Sequence, residues 1–192
     1  MNKVLSLMLS SLLLSFCIAS SASAVTIEDV NIPDSFSAAG SDLVLNGAGT
    51  RSKWFLDLYV GGLYLQSKSS DARAIVSADE PQAIKLHIIS GMITSDRMTS
   101  ATMEGFENST GDNIAPIKDE VDKFLDVFSE EIKEGDVFDL VYLPGSGVHV
   151  MKNGTERGVI KGMAFKKALF GIWLSDEPAQ ESLKKSMLGG DK

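Results

Sequence analysis

Trp54-Phe55-Leu56-Asp57-Leu58-Tyr59-Val60-Gly61-Gly62-Leu63-Tyr64-Leu65 commits this chain to a β-sheet. The run is aromatic and aliphatic with a single charged residue, the composition that fits a pleated, half-buried surface. It is entered from Gly47-Ala48-Gly49-Thr50-Arg51-Ser52-Lys53, whose glycines allow a turn or a close approach by another group. In one regular strand, alternate residues share a face. Trp54, Leu56, Leu58 and Val60 then form an apolar face that reads as core. Arg51, Lys53, Phe55, Asp57 and Tyr59 form the other, suited to a ligand with a polar head and an apolar body. In a straight strand Tyr59 stands about 26 Å from Arg51, at ~3.3 Å per residue. The two can act together only where the chain bends or reverses.

The remaining sequence alternates between strand and helix signals. Val25 to Phe36 alternates loosely around Pro33, as a short edge strand or hairpin arm does. Asp42-Leu43-Val44-Leu45 makes a second strand, and Gly61-Gly62 marks a bulge or a close backbone approach. Ser69-Ser70-Asp71 caps a short helical turn, and Ala83 to Ile89 is a strand. Thr94-Ser95-Asp96 caps a helix running to about Glu107. Ile114, Ile117, Val121, Phe124, Leu125, Phe128 and Ile132 recur at helical spacing, predicting one amphipathic helix that Gly135 stops. Asp136 to Leu143 and Gly147 to Met151 are strands, and Asn153-Gly154 turns the chain into a last one. Two helices finish the chain, over Ala164 to Trp173 and from Pro178 to before Gly189. An antiparallel sheet with helices grouped mainly to one side is an α+β fold.

Residues 1–24 have the pattern of a signal peptide. Lys3 supplies the positive start, Val4 to Ile18 the apolar segment, and Ala22-Ser23-Ala24 the small residues before the cut. Residues 25–192 are left as one domain. The apolar segment is shorter than the ~20 residues a membrane span needs. The expectation is therefore a periplasmic or secreted protein without stable membrane insertion. Cys17 is the only cysteine and departs with the leader, so packing must hold the fold without disulfides. Eighteen basic against 26 acidic residues give a net charge of −8, with no basic cluster. That balance excludes nucleic acid and disfavours anionic membranes.

Gly47-x-Gly49-x-Arg51 leading into a strand that ends Gly61-Gly62-Leu63-Tyr64-Leu65 resembles the chalcone isomerase family, in its bacterial chalcone isomerase-like branch. The tail adds to the likeness with Phe165-Lys166-Lys167-Ala168-Leu169-Phe170-Gly171-Ile172-Trp173-Leu174, Asp176-Glu177-Pro178-Ala179 and Leu183-Lys184-Lys185-Ser186-Met187-Leu188-Gly189. It spans Val25 to Gly189 and implies an open-faced β-sandwich whose large antiparallel sheet is covered by helices. It also implies that Arg51 corresponds to the catalytic arginine of plant chalcone isomerases and to the carboxylate-pairing arginine of their fatty-acid-binding relatives. A guanidinium suits both tasks, because its fork meets a carboxylate bidentately and equally steadies an enolate. The other plant active-site positions carry different chemistry here. The tyrosine falls on Thr94, the asparagine on Ala101 and the threonine on Tyr59. A threonine offers no phenol, so the polar network that cyclisation requires is incomplete.

His87 and His149 read as solvent-side strand positions without metal-ligand spacing, so neither metal nor cofactor is expected. Gly145-Ser146-Gly147 lacks the strand–helix context of a phosphate loop and reads as a turn. Met98, Met103 and Phe106, with Phe165 and Leu169, predict an apolar slot beside the sheet. The expected function is an exported, non-catalytic binding protein for a small apolar, fatty-acid-like ligand. Arg51 holds the anionic head, with Tyr59, Thr94, Met98 and Ala101 around the ligand. The alternative is an isomerase or intramolecular lyase, with Arg51 as the electrophilic group and Thr94 as a weak polar partner.

Overall fold

The computed structural model describes residues 24–190. The signal-peptide reading of residues 1–24 therefore lies almost wholly outside the described residues. β1 (Ala24–Ile27) and β2 (Val30–Pro33) form a separate hairpin. Seven further strands make one sheet in sequential order, each antiparallel to the next. They are β3 (Ser35–Ala38), β4 (Ser41–Lys53), β5 (Leu56–Leu65), β6 (Gln82–Ile88), β7 (Val137–Leu143), β8 (Gly147–Lys152) and β9 (Thr155–Ile160). Five helices accompany them: α1 (Ala72–Ser77), α2 (Ser95–Thr110), α3 (Lys118–Leu125), α4 (Met163–Leu174) and α5 (Glu181–Met187).

Strand alternation sorts the sheet into two faces. Leu63, Ile84, Leu86, Ile88, Phe138 and Leu140 bury against the helices. Leu43, Leu45, Val60, Tyr64, Ala83 and Val141 bury beneath Ile27 and Ile32 of the small hairpin. The Tyr64 hydroxyl donates to the Pro33 carbonyl at 2.9 Å, tying hairpin to sheet. This is the open-faced sandwich, with its thick, helix-covered side built around the rings of Phe106, Phe124, Phe128, Phe138 and Phe165.

The long run that dominates the sequence is not one strand. β4 ends at Lys53, Trp54 and Phe55 make a two-residue turn, and β5 returns from Leu56, which faces Lys53. Trp54 and Phe55 are 88% and 101% exposed and Leu56 is 46% exposed, so of the apolar face expected here only Val60 is buried core, with Leu58 partly buried. The Asp42–Leu45 strand instead continues unbroken to Lys53. The pairing of β4 with β5 shifts register near Asn46 and between Arg51 and Ser52, rather than at Gly61-Gly62.

Gly47, Gly49 and Gly61 seat α5 on the helix-side face. A Cβ on Gly47 would stand 2.0 Å from the Ser186 carbonyl oxygen, and one on Gly49 2.7 Å from Ser186 Cβ. One on Gly61 would meet Met187 Cε at 2.8 Å. Buried Asn46 locks the seat: its Nδ2 donates to the Met187 carbonyl at 2.7 Å and the Ser69 carbonyl at 2.9 Å. The glycine motif is thus a helix seat.

The helix predicted from Ile114 to Ile132 is shorter than its periodicity implies. Only Lys118–Leu125 is α-helical, between 3-10 turns over Ala115–Ile117 and Asp126–Ser129. Beyond its last α-helical turn the carbonyls meet side chains. Ser95 Oγ donates to the Phe128 carbonyl, and Lys152 Nζ donates to the Glu131 carbonyl at 2.6 Å. Phe128 and Ile132 still reach the core. Lys166 on α4 is fully buried and donates to the carbonyls of Ile75, Val76 and Ala78 at 2.9–3.0 Å. It closes the C-terminal end of α1, and burial pulls its ammonium down to about 8.

Candidate functional site

A cavity of about 780 Å³ lies between the sheet and helices α2 and α4. Leu86, Phe124, Phe128, Phe138 and Leu140 supply an apolar floor, and Met98, Ala101 and Gly105 of α2 one wall. Ile172 and Trp173 of α4 face them. The volume falls within the range of small-molecule sites, ~300–1,000 Å³.

Chain reversal at Trp54-Phe55 creates the polar end. Arg51 and Tyr59, far apart in a straight strand, become direct partners across β4 and β5. Both line the cavity, beside the register shift that re-aims their side chains. Arg51 is half-buried. Its Nη1 donates to the Ser52 carbonyl at 2.7 Å and to Gln180 Oε1 at 2.9 Å. Gln180 Oε1 also accepts the Ser52 amide at 2.9 Å, so the residue before α5 fixes the arginine's strand and side chain together. Among the described residues, no carboxylate forms an ion pair with Arg51.

The Tyr59 hydroxyl accepts from Trp173 Nε1 at 2.9 Å, leaving its own proton to donate. Burial pushes the Tyr59 phenol above its ordinary value of 10.0, against the lowering effects of the Trp173 donor and the Arg51 charge. The site therefore offers a guanidinium and a neutral phenol, two donors converging on one place. What they can do is hold an anion.

Tyr64 and Tyr142 behave alike: burial raises both, Tyr142 to about 12 with help from Asp79 Oδ1 at 2.5 Å. All three tyrosines of the chain are thus held protonated by the fold. Above pH 10 the folded state binds more protons than the unfolded one, so stability falls as pH rises through that range. Absorbance titration at 295 nm is expected to show no tyrosinate near pH 10, followed by ionisation that coincides with loss of the near-UV circular dichroism signal. Three tyrosines titrating freely at 10 with the fold intact would contradict this.

Met98 and Ala101 stand on the cavity wall, with Arg51 and Tyr59 at its polar end. Thr94 does not line the cavity. It is exposed and caps α2, its Oγ1 accepting the Arg97 amide at 3.3 Å. Of the slot expected from Met98, Met103, Phe106, Phe165 and Leu169, Met98 lines the cavity, whereas Phe106, Phe165 and Leu169 are at 0% exposure in the core cluster that Met103 packs against. The cavity opens nearer the β4–β5 turn. His87 is half-buried rather than solvent-side, and burial lowers its pKa. Trp173 and Gln180 were not legible as site residues. Trp173 lay within the tail motif, where only its family likeness stood out. Gln180 carried no signal, because it meets Arg51 across 129 residues of chain.

A family model described as chalcone isomerase-like matches residues 24–189. The solved structure of an Arabidopsis thaliana fatty-acid binding protein superposes with a TM-score of 0.69 at 17% identity, over 86% of this chain and 96% of that one. At that identity the likeness is one of fold. No curated protein sequence matches the chain.

Proposed function

We propose that this chain, which belongs to the chalcone isomerase-like family, carries a fatty-acid-like molecule in its cavity with the anionic head on Arg51 and Tyr59. One observation carries the reading. A half-buried guanidinium without a carboxylate partner among the described residues ends a cavity whose floor is apolar. A desolvated charge is costly until an opposite one meets it. A carboxylate head satisfies the charge while its acyl chain covers the phenylalanine floor. Met98 and Ala101 border the chain. The fatty-acid-binding description of the structural relative points the same way. The leader pattern of residues 1–24 supports carriage in the periplasm or outside the cell.

An isomerase would use the same pair to steady an enolate. It would also need the polar partner expected at Thr94, which caps α2 and does not line the cavity. Carriage is the better-supported reading. Native mass spectrometry of the protein purified from its own host tests it. The expected spectrum contains a species heavier than the bare chain by the mass of a fatty acid, lost on organic extraction and regained on titration with dodecanoic acid. A bare chain that takes up no dodecanoic acid would overturn the proposal.

A further inference from the structure

The β4–β5 turn sets Trp54 and Phe55 in solvent at 88% and 101% exposure, with Leu56 beside them at 46%. Met92, on the loop between β6 and α2, is exposed at 45%. These four account for most of the exposed large hydrophobic residues among the described ones, the others being Val25 and Val159. Concentration of that kind on a soluble surface marks an interaction site. Trp54, Leu56 and Met92 also line the cavity, so the apolar tip and the ligand's route are continuous. Trp54 holds a φ of 58°, in the left-handed region. Two-residue hairpin turns favour asparagine or glycine there, and a bulky residue is strained. An exposed, strained tryptophan serves the fold poorly, which points to a task outside the fold.

The geometry selects the occupant. A stable dimer buries about 1,200–2,000 Å² in all, whereas two aromatic side chains bury about 150–250 Å² each. A convex two-residue tip is too small for a second copy of the chain. It is the right size to enter the headgroup region of a bilayer, where tryptophan and phenylalanine partition favourably; exposed Lys53 adjoins the tip, and exposed Arg97, whose Nη1 donates to the Met92 carbonyl at 2.9 Å, lines the same cavity. The net charge of −8 opposes an anionic surface, so the matching membrane is zwitterionic. No helix among the described residues is long and apolar enough to cross it. We infer that the β4–β5 hairpin tip docks the protein reversibly on a zwitterionic lipid bilayer, where ligand passes between membrane and cavity along Trp54, Leu56 and Met92. The passage of ligand rests on the carrier reading above; the docking does not.

Flotation with phosphatidylcholine vesicles carrying brominated acyl chains tests the docking. The unaltered protein is expected to float, with its tryptophan emission shifted to the blue and quenched by bromine. Phe55→Glu, altering a side chain outside the cavity wall, is expected to lower partitioning about tenfold or more. Its affinity for dodecanoic acid in the absence of vesicles stays the same. Adding phosphatidylglycerol is expected to weaken binding, and stronger binding to it would overturn the zwitterionic match. Failure to float, or equal flotation of Phe55→Glu, overturns the inference. So does a dimer, seen by sedimentation velocity, that Phe55→Glu abolishes in a protein that does not float. Flotation by a protein that takes up no dodecanoic acid would uphold the docking and remove the carrier reading instead.

Discussion

Gly47→Ala is expected to cost about 3–5 kcal/mol of folding stability, a fall of roughly 10 °C in Tm for a chain of this size. The added methyl carbon would stand 2.0 Å from the Ser186 carbonyl oxygen and 2.9 Å from that of Met187. Both are backbone atoms and cannot swing aside. α5 must therefore lift from β4, breaking the 2.7 Å bond from Asn46 to the Met187 carbonyl. Lifting exposes Leu183 and Met187, now at 1% and 0%, each worth about 1.5–3 kcal/mol of burial. Gly47 has no left-handed backbone to protect, so the loss comes from the clash alone. Gly158→Ala is the control. Its Cβ meets nothing within 4 Å, and stability should change by less than about 0.5 kcal/mol. Equal, small effects in the two variants would show that α5 is not seated as described. Dodecanoic acid affinity should fall with Gly47→Ala as well, because Gln180 just ahead of α5 orients Arg51.

The second large effect concerns recognition. Arg51→Met is expected to weaken dodecanoic acid binding about 10- to 100-fold, since hydrogen bonds to charged groups contribute about 1.5–3 kcal/mol. Dodecanol, which has no charge for the guanidinium to meet, should lose much less. Arg51→Lys should fall between, keeping the charge and losing the planar fork. Isothermal titration of both ligands against the three proteins reads the contrast. Part of any loss could arise from the missing bonds to Ser52 and Gln180, but that part would affect acid and alcohol equally. Equal weakening of the two ligands would remove Arg51 from the head group.

The strands from Ala83 onward and the Asn153-Gly154 turn were legible because alternation and turn chemistry are local. Asn153 and Gly154 both adopt positive φ, 52° and 75°, as that dipeptide predicts. Trp54-Phe55 carries no such signal. Its reversal could not be read from the run, and the face assignment built on a straight strand failed with it. The same limit shortened the helix after Ile114. Its apolar spacing was real, yet Ser95 and Lys152 capture carbonyls that the spacing assigned to the helix. Met98 and Ala101 reached the cavity wall, whereas the slot expected around Phe106 and Phe165 is solid. Several apolar residues on a helix predict a buried face, and only packing tells a filled face from a hollow one.

By itself the sequence determined the α+β layout, the two-glycine approach to Arg51 and the family, since these rest on residue order and short-range periodicity. Only the tertiary structure decided that Arg51 faces Tyr59, that Gln180 holds it, and that the glycines receive a helix. Lys166 and Lys167 make the difference plain: one is buried on three carbonyls while its neighbour lies in water. Identical side chains one residue apart have the same chemistry in the sequence. Their fates part because an α-helix turns them to different sides, and what waits on each side comes from segments far away in the chain.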